Sequence, residues 1–256
     1  MKLFGQTVAS MYLWAIALLL LLAVYSSYSI NQFPFPLIVA AILAPVIELA
    51  VLKISKKQMK VPWSGIITGL IIGEVAPVNA PLAAIAVACA IAILSKYFIR
   101  IKSSNVFNPA TIGMLISFAI FAIGDEWWGA GTISLYSIAI PASIVLVIAA
   151  YEAKRLMTAI SFIVSVIILS VFFTGNTSLS SIGVTILGVN YFFALLMLAD
   201  PKTSPHKNRA QVVYGTAMGI LYSILAIFGV AYSYFMALLI GNLVYALYRN
   251  RGHKLL

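Results

Sequence analysis

The chain has 256 residues, of which 63% are hydrophobic and 9% are charged, and its net charge is +10 at neutral pH. A single soluble core could not bury that much apolar surface, so the composition excludes an ordinary soluble domain and makes the bilayer the solvent. The positive charge clusters beside apolar stretches, where it indicates membrane orientation and contact with anionic lipid. This pattern argues against nucleic-acid binding.

The sequence divides into about ten apolar stretches, and every second junction between them holds the Lys and Arg residues. The other junctions hold none. Because cytoplasmic loops collect Lys and Arg, the alternation predicts a multi-pass protein of the cell membrane with both termini in the cytoplasm. The predicted spans are Ser10–Ile30, Phe35–Leu52, Pro62–Gly73, Ala80–Tyr97, Phe107–Ile123, Ile133–Tyr151, Leu156–Thr174, Ser181–Leu198, Ala210–Val230 and Tyr232–Leu247.

Two acid-plus-proline breaks follow the third and the eighth spans, at EVAPVNAP and at ADPKTSP. The third stretch is short for a full crossing, and proline cannot continue a helix, so we expect a broken or partial helix that protein or a water-filled cavity covers. The breaks lie about half a chain apart. They predict one all-α transmembrane domain, residues 1–256, built from two inverted five-helix repeats at about 9–124 and 132–248.

Three carboxylates lie at informative positions. Glu48 is inside the second span, and Glu74 and Asp200 are at the two breaks. An ionisable group within a span usually faces the bundle interior, so Glu48 and Glu74 are candidates for an ion or proton route. Glu48 could instead extend to Lys53 at the end of its span, and Asp200 could simply form an Asx turn before Pro201.

A polar cluster stands at the start of the fifth span, in SKYFIRIKSSNVFNPATIGMLI. Asn105 and Asn108 supply amide donors and acceptors, and Pro109 suits the first turn of a helix that Asn108 caps. The backbone amides of that turn would then point toward a ligand, with Lys96 and other basic residues close in sequence. A simple helix cap explains the same pattern without a ligand.

Other chemistries find no support in the sequence. It lacks a phosphate-binding loop and a dinucleotide fingerprint, so the chain itself should not bind ATP or NADH. Cys89 is the single cysteine, and the two histidines lie in basic loops, so no metal ligand set is predicted. We identify no catalytic residues.

Two segments resemble a known family. The Asn-x-Phe-Asn-Pro-Ala run from Asn105 and the Asp-Pro-x-Thr-Ser-Pro run from Asp200 are similar to segments of the NqrB/RnfD family, and YFMALLIGNLV is similar to its last span. The resemblance implies a ten-helix membrane protein with inverted repeats, similar in fold to urea channels. It also implies a place in a redox-driven ion pump that binds flavin.

The resemblance also implies where the flavin, FMN or riboflavin, would bind. The family attaches FMN to the Thr of Asp-x-x-Ser-Gly-Ala-Thr, which here reads DEWWGAGT and makes Thr132 the candidate for covalent attachment. The motif lacks its Ser and gains a Gly, so non-covalent binding is favoured. The tryptophans of this loop are typical of interface anchors. Candidate residues for the non-covalent site are Asn105, Asn108, Pro109, Asp200, Pro201, Thr203 and Ser204.

The sequence leaves two alternative functions open. The first is a membrane subunit of an Rnf/Nqr-like complex that couples electron transfer to Na⁺ or H⁺ movement, with the other membrane and redox subunits as partners. In this hypothesis Asn108 and Asp200 approach one another on the cytoplasmic side. The second is a stand-alone channel or transporter for a small solute on the same scaffold, because a fold does not determine a function.

Overall fold

The computed structural model describes residues 2–3, 6–7, 10–101, 104–128, 144, 146–175 and 177–252. These residues form an all-α membrane protein with two short strand pairs. Their contacts divide the chain into two compact units, Met1–Val145 and Leu146–Leu256, which are described separately.

The described part of the first unit contains five helices and two antiparallel strand pairs. The helices are α1 (Ser10–Ile30), α2 (Phe35–Ile54), α3 (Trp63–Val75), α4 (Leu82–Phe98) and α5 (Pro109–Phe121). The strand pairs are β1 (Lys2–Leu3) with β2 (Gln6–Thr7), and β3 (Arg100–Ile101) with β4 (Ser104–Asn105). The second pair forms a tight hairpin that leads into α5.

Helix α3 is the short, buried helix that the sequence predicts. It has 13 residues and ends at Val75, two residues before Pro77. Glycines 65, 69 and 73 lie against α2: a Cβ added to Gly69 would collide with the backbone of Ala40, and one added to Gly73 with that of Leu37. Small residues therefore let the two helix backbones approach closely, as is common between membrane helices.

Helix α5 packs against α4 in a similar way. A Cβ on Gly113 would collide with the carbonyl of Ala88 and lie 2.8 Å from the Cβ of Ala92. The Ser117 hydroxyl donates to the carbonyl oxygen of Ala84 across 2.6 Å. Helix α5 ends at Phe121, and the next residue, Ala122, has a φ of 52° that places it in the left-handed region.

The second unit contains four long or medium α-helices and one π-helical turn among its described residues. After helical residues 146–152 come α6 (Leu156–Thr174), α7 (Leu179–Gly188), the π-helical turn Phe193–Met197, α8 (Asn208–Ile227) and α9 (Ser233–Gly252). Helices α6 and α8 pack closely through glycines: a Cβ on Gly219 would lie 3.0 Å from the carbonyl oxygen of Phe162.

The eighth apolar stretch differs from its prediction as one continuous span. Helix α7 stops at Gly188, Val189 is extended, and the Asn190 side chain accepts a hydrogen bond from the amide of Phe193 across 2.8 Å. The polypeptide then continues as the π-helical turn. The reason is local: an asparagine side chain competes for backbone amides and starts a new turn, while the apolar composition of the stretch hides this break.

Length and composition support membrane insertion. Helices α2, α6 and α8 are long and apolar enough to cross a bilayer, and shorter apolar helices accompany them. Of the predicted span Ile133–Tyr151, residues 133–143 and 145 lie outside the described part of the chain. The ten crossings, their orientation and the two inverted repeats therefore remain predictions.

Candidate functional site

A buried ion pair lies at one end of the first unit, where the carboxylate of Glu48 on α2 meets Lys96 on α4. Glu48 is only 8% exposed, and its Oε2 lies 3.7 Å from Lys96 Nζ. The same Nζ donates to the hydroxyl oxygen of Ser64 across 3.0 Å, and the Tyr97 hydroxyl donates to Glu48 Oε1 across 3.3 Å. Three helices thus bring one carboxylate, one ammonium group and two hydroxyls together.

Glycine makes room for this arrangement. A Cβ added to Gly65 would lie 2.5 Å from Glu48 Oε2 and 3.0 Å from the Cα of Pro45. Lys53, the partner considered for Glu48 from the sequence, is exposed, and the carboxylate pairs with Lys96 instead. The ammonium group of Lys57 stands 5.1 Å from the centre of the Tyr97 ring, on the face of that ring.

Glu74 is the most deeply buried carboxyl group in the described part of the chain. It has no exposed surface, and neither of its oxygens has a hydrogen-bond partner among the described residues. It sits one residue before the end of α3, where the helix is broken. Because a buried polar group without partners costs free energy, such a position needs an explanation beyond folding.

The loop after α5 closes the end of α3 beside Glu74. The indole nitrogen of Trp128 donates to the carbonyl oxygen of Gly73 across 3.0 Å, and the amide of Glu126 donates to that of Val75 across 3.0 Å. The Glu126 carboxylate accepts from the amide of Val78 across 3.1 Å. The loop therefore satisfies helix-end groups that the break leaves open. Both indoles of the loop are buried within the protein.

Asn105, Asn108 and Pro109 lie together at the hairpin and the start of α5. The side-chain oxygen of Asn108 accepts from the amide and the hydroxyl of Thr111, both across 3.2 Å, and Pro109 is the first helical residue. Asn108 is therefore the predicted cap. Asn105 is buried in β4, opposite Arg100.

In the second unit, residues 200–204 form one tight loop, the Asp-Pro loop. The Asp200 side chain accepts from the amide of Lys202 across 3.0 Å, which is the Asx turn considered from the sequence. Its backbone oxygen accepts from the amides of Thr203 and Ser204. The hydroxyl of Thr203 is buried and has no hydrogen-bond partner in the described part of the chain.

A buried arginine holds this loop. Arg155, which precedes α6, has no exposed surface, and its Nε donates to the hydroxyl oxygen of Ser204 across 3.0 Å. One terminal nitrogen donates to the carbonyl oxygen of Pro201 across 3.2 Å, and the other to that of Lys154 across 2.9 Å. The guanidinium group thus links the start of α6 to the Asp-Pro loop.

Two amide side chains complete the support of the loop. The Gln211 side chain donates to the carbonyl oxygens of Lys154 and His206, both across 2.9 Å. The side chain of Asn242 donates to the carbonyl oxygen of Thr203 across 3.4 Å and to the Tyr214 hydroxyl across 3.0 Å. Desolvation, followed by the positive charges of Arg155 and Lys154, lowers the pKa of His206.

The structure therefore groups the sequence candidates into separate places. Asn105, Asn108 and Pro109 share one corner of the first unit, and the Asp-Pro loop gathers its four candidates in the second. Because these two places belong to different units, the approach of Asn108 to Asp200 remains a prediction. Thr132 lies outside the described residues.

Sequence reasoning missed the residues that support these places. It treated Lys96 and Arg155 as members of basic junctions, although both are buried and hydrogen-bonded inside the protein. Gln211 and Asn242 offered a usable signal, since each is an amide within an apolar stretch, where a polar group needs a partner. Nothing in the local sequence distinguishes Arg155 from its neighbour Lys154.

The polar groups at these two places fit a flavin. The unpartnered, buried Thr203 hydroxyl and the buried Asn105 side chain are groups that a polar ring edge or a sugar-like chain could satisfy. The side-chain oxygen of Asn108 accepts two hydrogen bonds and caps α5. Each place, taken by itself, offers polar groups of the kind that fit a non-covalently bound flavin.

Apolar helices long enough to cross a bilayer, with ionisable groups buried among the helices, define an all-α membrane protein. The chain belongs to the NQR2, RnfD, RnfE family, whose model matches residues 4–132. Membership supports a membrane subunit of an Rnf/Nqr-type complex. No curated protein sequence matches the chain.

Proposed function

We propose that the chain is a flavin-binding membrane subunit that couples electron transfer to Na⁺ or H⁺ movement within an Rnf/Nqr-type complex of the cell membrane. Its partners are the other membrane and redox subunits of that complex. Family membership supports the place in the complex, and family members are associated with flavin-binding complexes. The part that concerns ion movement rests on this chain's own residues.

One observation carries the ion-coupling function: the buried, unpartnered carboxyl group of Glu74. Glycine-mediated packing holds α3 against α2, and the loop that contains Trp128 covers its broken end. A carboxyl group kept at such a cost at a helix break is suited to bind and release a cation or a proton. Glu48 lies on α2 near the start of α3, whereas Glu74 lies at the end of α3. Glu48 would be the second carboxyl group on the path of the ion or proton.

A bound flavin would supply the electron transfer, and the protein residues would hold it. In the first unit Asn105 and Asn108 are the candidate flavin-binding residues. In the second unit the candidate is the Thr203 hydroxyl, in the Asp-Pro loop that Arg155 holds. Pro109 and Pro201 would act through the turns that they stabilise.

The first experiment separates cofactor binding from ion movement. The complete complex is purified with its partner subunits, its visible spectrum is recorded, and donor-driven Na⁺ and H⁺ uptake is measured in proteoliposomes. Glu74→Gln should abolish uptake while the flavin content stays at the wild-type level. Glu152→Gln, which changes an exposed carboxylate, is the control and should leave both unchanged. Full uptake by Glu74→Gln would reject the role of Glu74.

The second experiment uses the cap geometry of Asn108. Asn108→Asp keeps the oxygen that caps α5 but removes the amide nitrogen, whereas Asn108→Leu removes both. A lost buried hydrogen bond costs about 1–3 kcal/mol, so both variants should bind flavin about five- to hundred-fold more weakly. Asn108→Leu also removes the cap of α5, so it should lower the melting temperature more than Asn108→Asp does. If Asn108→Asp retains full flavin affinity, Asn108 is a helix cap alone.

The Asp-Pro loop is tested by Asp200→Asn, which can still accept the hydrogen bond of the Asx turn from Lys202. If the carboxylate acts on the cofactor or the ion, this variant loses flavin or coupled uptake while its fold persists.

A stand-alone solute channel makes the opposite predictions: saturable passage of a small neutral solute in proteoliposomes without an electron donor, and no flavin in the spectrum.

A further inference from the structure

The ion pair of Glu48 and Lys96 is incomplete. The two side chains are 10% and 6% exposed, and 3.7 Å separate Lys96 Nζ from Glu48 Oε2. That distance exceeds a hydrogen bond, and Oε2 has no hydrogen-bond partner in the described parts of the chain. A buried pair whose purpose is stability should satisfy its oxygens fully, because desolvation otherwise outweighs the attraction.

The atoms around Lys96 Nζ are those that a small hard cation prefers. Nζ lies between the hydroxyl oxygen of Ser64, at 3.0 Å, and Glu48 Oε2, while the Tyr97 hydroxyl orients the other carboxylate oxygen. Oxygen ligands suit hard cations, and one carboxylate matches the charge of a monovalent ion. Within the described residues no group of three His, Cys, Asp or Glu side chains is available to a transition metal.

We propose that Glu48 Oε2 and the Ser64 hydroxyl form a binding site for a small monovalent cation such as Na⁺, in which Lys96 is the resident charge that the cation displaces. The inference rests on the proposed ion-coupling function and gives it an exchange step. No bond forms or breaks in the step: one positive charge leaves the carboxylate as another arrives.

Electrostatics require the exchange. Two positive charges about 4 Å apart in a partly buried site repel strongly, so the cation and the Lys96 ammonium group cannot share the carboxylate. Removal of both would leave an unpaired buried charge, which is costly. The site therefore always holds one cation. Lys53, Lys57 and Arg100 lie near this end of the unit and are exposed, so salt screens their effect on the site.

The test measures Na⁺ affinity of the purified complex by equilibrium binding of radioactive sodium at alkaline pH, with choline used to hold ionic strength constant. Lys96→Gln removes the built-in competitor and should tighten Na⁺ binding by at least about tenfold. Glu48→Gln should abolish binding at this site. Lys53→Gln is the control. It removes an exposed lysine near the end of α2, the helix that carries Glu48, and should change the Na⁺ affinity less than about twofold.

One further variant keeps the outcome decisive. The double variant Glu48→Gln/Lys96→Gln removes both charges, so it should fold at least as well as the single variants and show no sodium binding at the site. If Lys96→Gln binds Na⁺ no more tightly than wild type at any pH, the cation site is rejected. Sodium binding retained by Glu48→Gln would also overturn the proposal.

Flavin content is recorded on the same samples. Absent flavin with the expected sodium responses would refute the flavin function and leave the cation site intact. Normal flavin with unchanged sodium affinity in Lys96→Gln would refute the exchange at Glu48 and leave the proposed function standing.

Discussion

The Nε of Arg155 donates a hydrogen bond to the Ser204 hydroxyl oxygen across 3.0 Å, although the two residues are 49 positions apart. Arg155 immediately precedes α6, and Ser204 ends the Asp-Pro loop. Because the guanidinium group also donates to the carbonyl oxygens of Pro201 and Lys154, it clamps this loop from several sides. The shape of the Asp-Pro loop thus depends on a residue remote in sequence.

Replacement of this arginine should loosen the loop. Arg155→Lys keeps the positive charge but replaces the planar fork with a single nitrogen, so the contacts to Ser204 and Pro201 cannot both persist. We expect the free energy of unfolding to fall by about 2 kcal/mol, measured by thermal denaturation in detergent. Hydrogen exchange at Lys202 and Thr203 should also become faster.

Arg209→Lys is the matched control, because Arg209 is exposed near the same loop. It should leave the melting temperature and the exchange rates unchanged. If Arg155→Lys behaves like this control, the buried guanidinium group does not hold the Asp-Pro loop.

Trp128 should stabilise the broken end of α3 through its indole nitrogen. Trp128→Phe retains most of the apolar contact but leaves the carbonyl oxygen of Gly73 without this donor. A buried acceptor that loses its partner costs about 1–3 kcal/mol, so the melting temperature should fall. Trp14→Phe changes an exposed tryptophan and should have little effect. Equal melting temperatures of the two variants would contradict the role of Trp128.

The close approach of α2 and α3 should make Gly69 intolerant of a side chain. Its added Cβ would collide with the carbonyl of Ala40 and lie 3.1 Å from the Cα of Ala41, and backbone atoms cannot move aside cheaply. We expect Gly69→Ala to cost about 1–3 kcal/mol, which lowers the melting temperature and the yield of folded protein.

Gly183→Ala is the control within α7, where a Cβ would have nothing within 4 Å. This variant should be neutral or stabilise the helix by about 0.5–1 kcal/mol, because alanine loses less conformational entropy than glycine. A milder effect at Gly69 than at Gly183 would show that α2 and α3 do not pack in this way.

The predicted membrane orientation can be tested with single cysteines in a variant in which Cys89 is replaced by alanine. Thr177 and Ser55 are both exposed: Thr177 lies just before α7, and Ser55 lies just after α2. Since the positive junctions are predicted to be cytoplasmic, Thr177→Cys should react with an impermeant thiol reagent in intact cells. Ser55→Cys should react only after the membrane is opened. Labelling of Ser55→Cys in intact cells would invert the assignment.

Much of the fold could be predicted from local sequence, because apolar length and proline act locally. The first apolar stretch forms α1 over the predicted residues, and Pro77 follows the end of α3 closely. The Asn108–Pro109 pair predicts its own helix start for the same reason. The break at Asn190 was missed because neighbouring apolar residues dominate any composition-based reading of that stretch.

Tertiary structure alone decided how the charged residues are used. The sequence places Glu48 in an apolar span and Lys96 and Arg155 in basic junctions, but it cannot say which charges are buried or with what they pair. Those partners come from segments that are remote in sequence: Lys96 reaches Glu48 on another helix, and Arg155 reaches Ser204 in the Asp-Pro loop. Insertion of a segment into the membrane depends on the apolar composition of that segment alone. A buried charge, in contrast, is stabilised only by partners that the tertiary structure brings close to it.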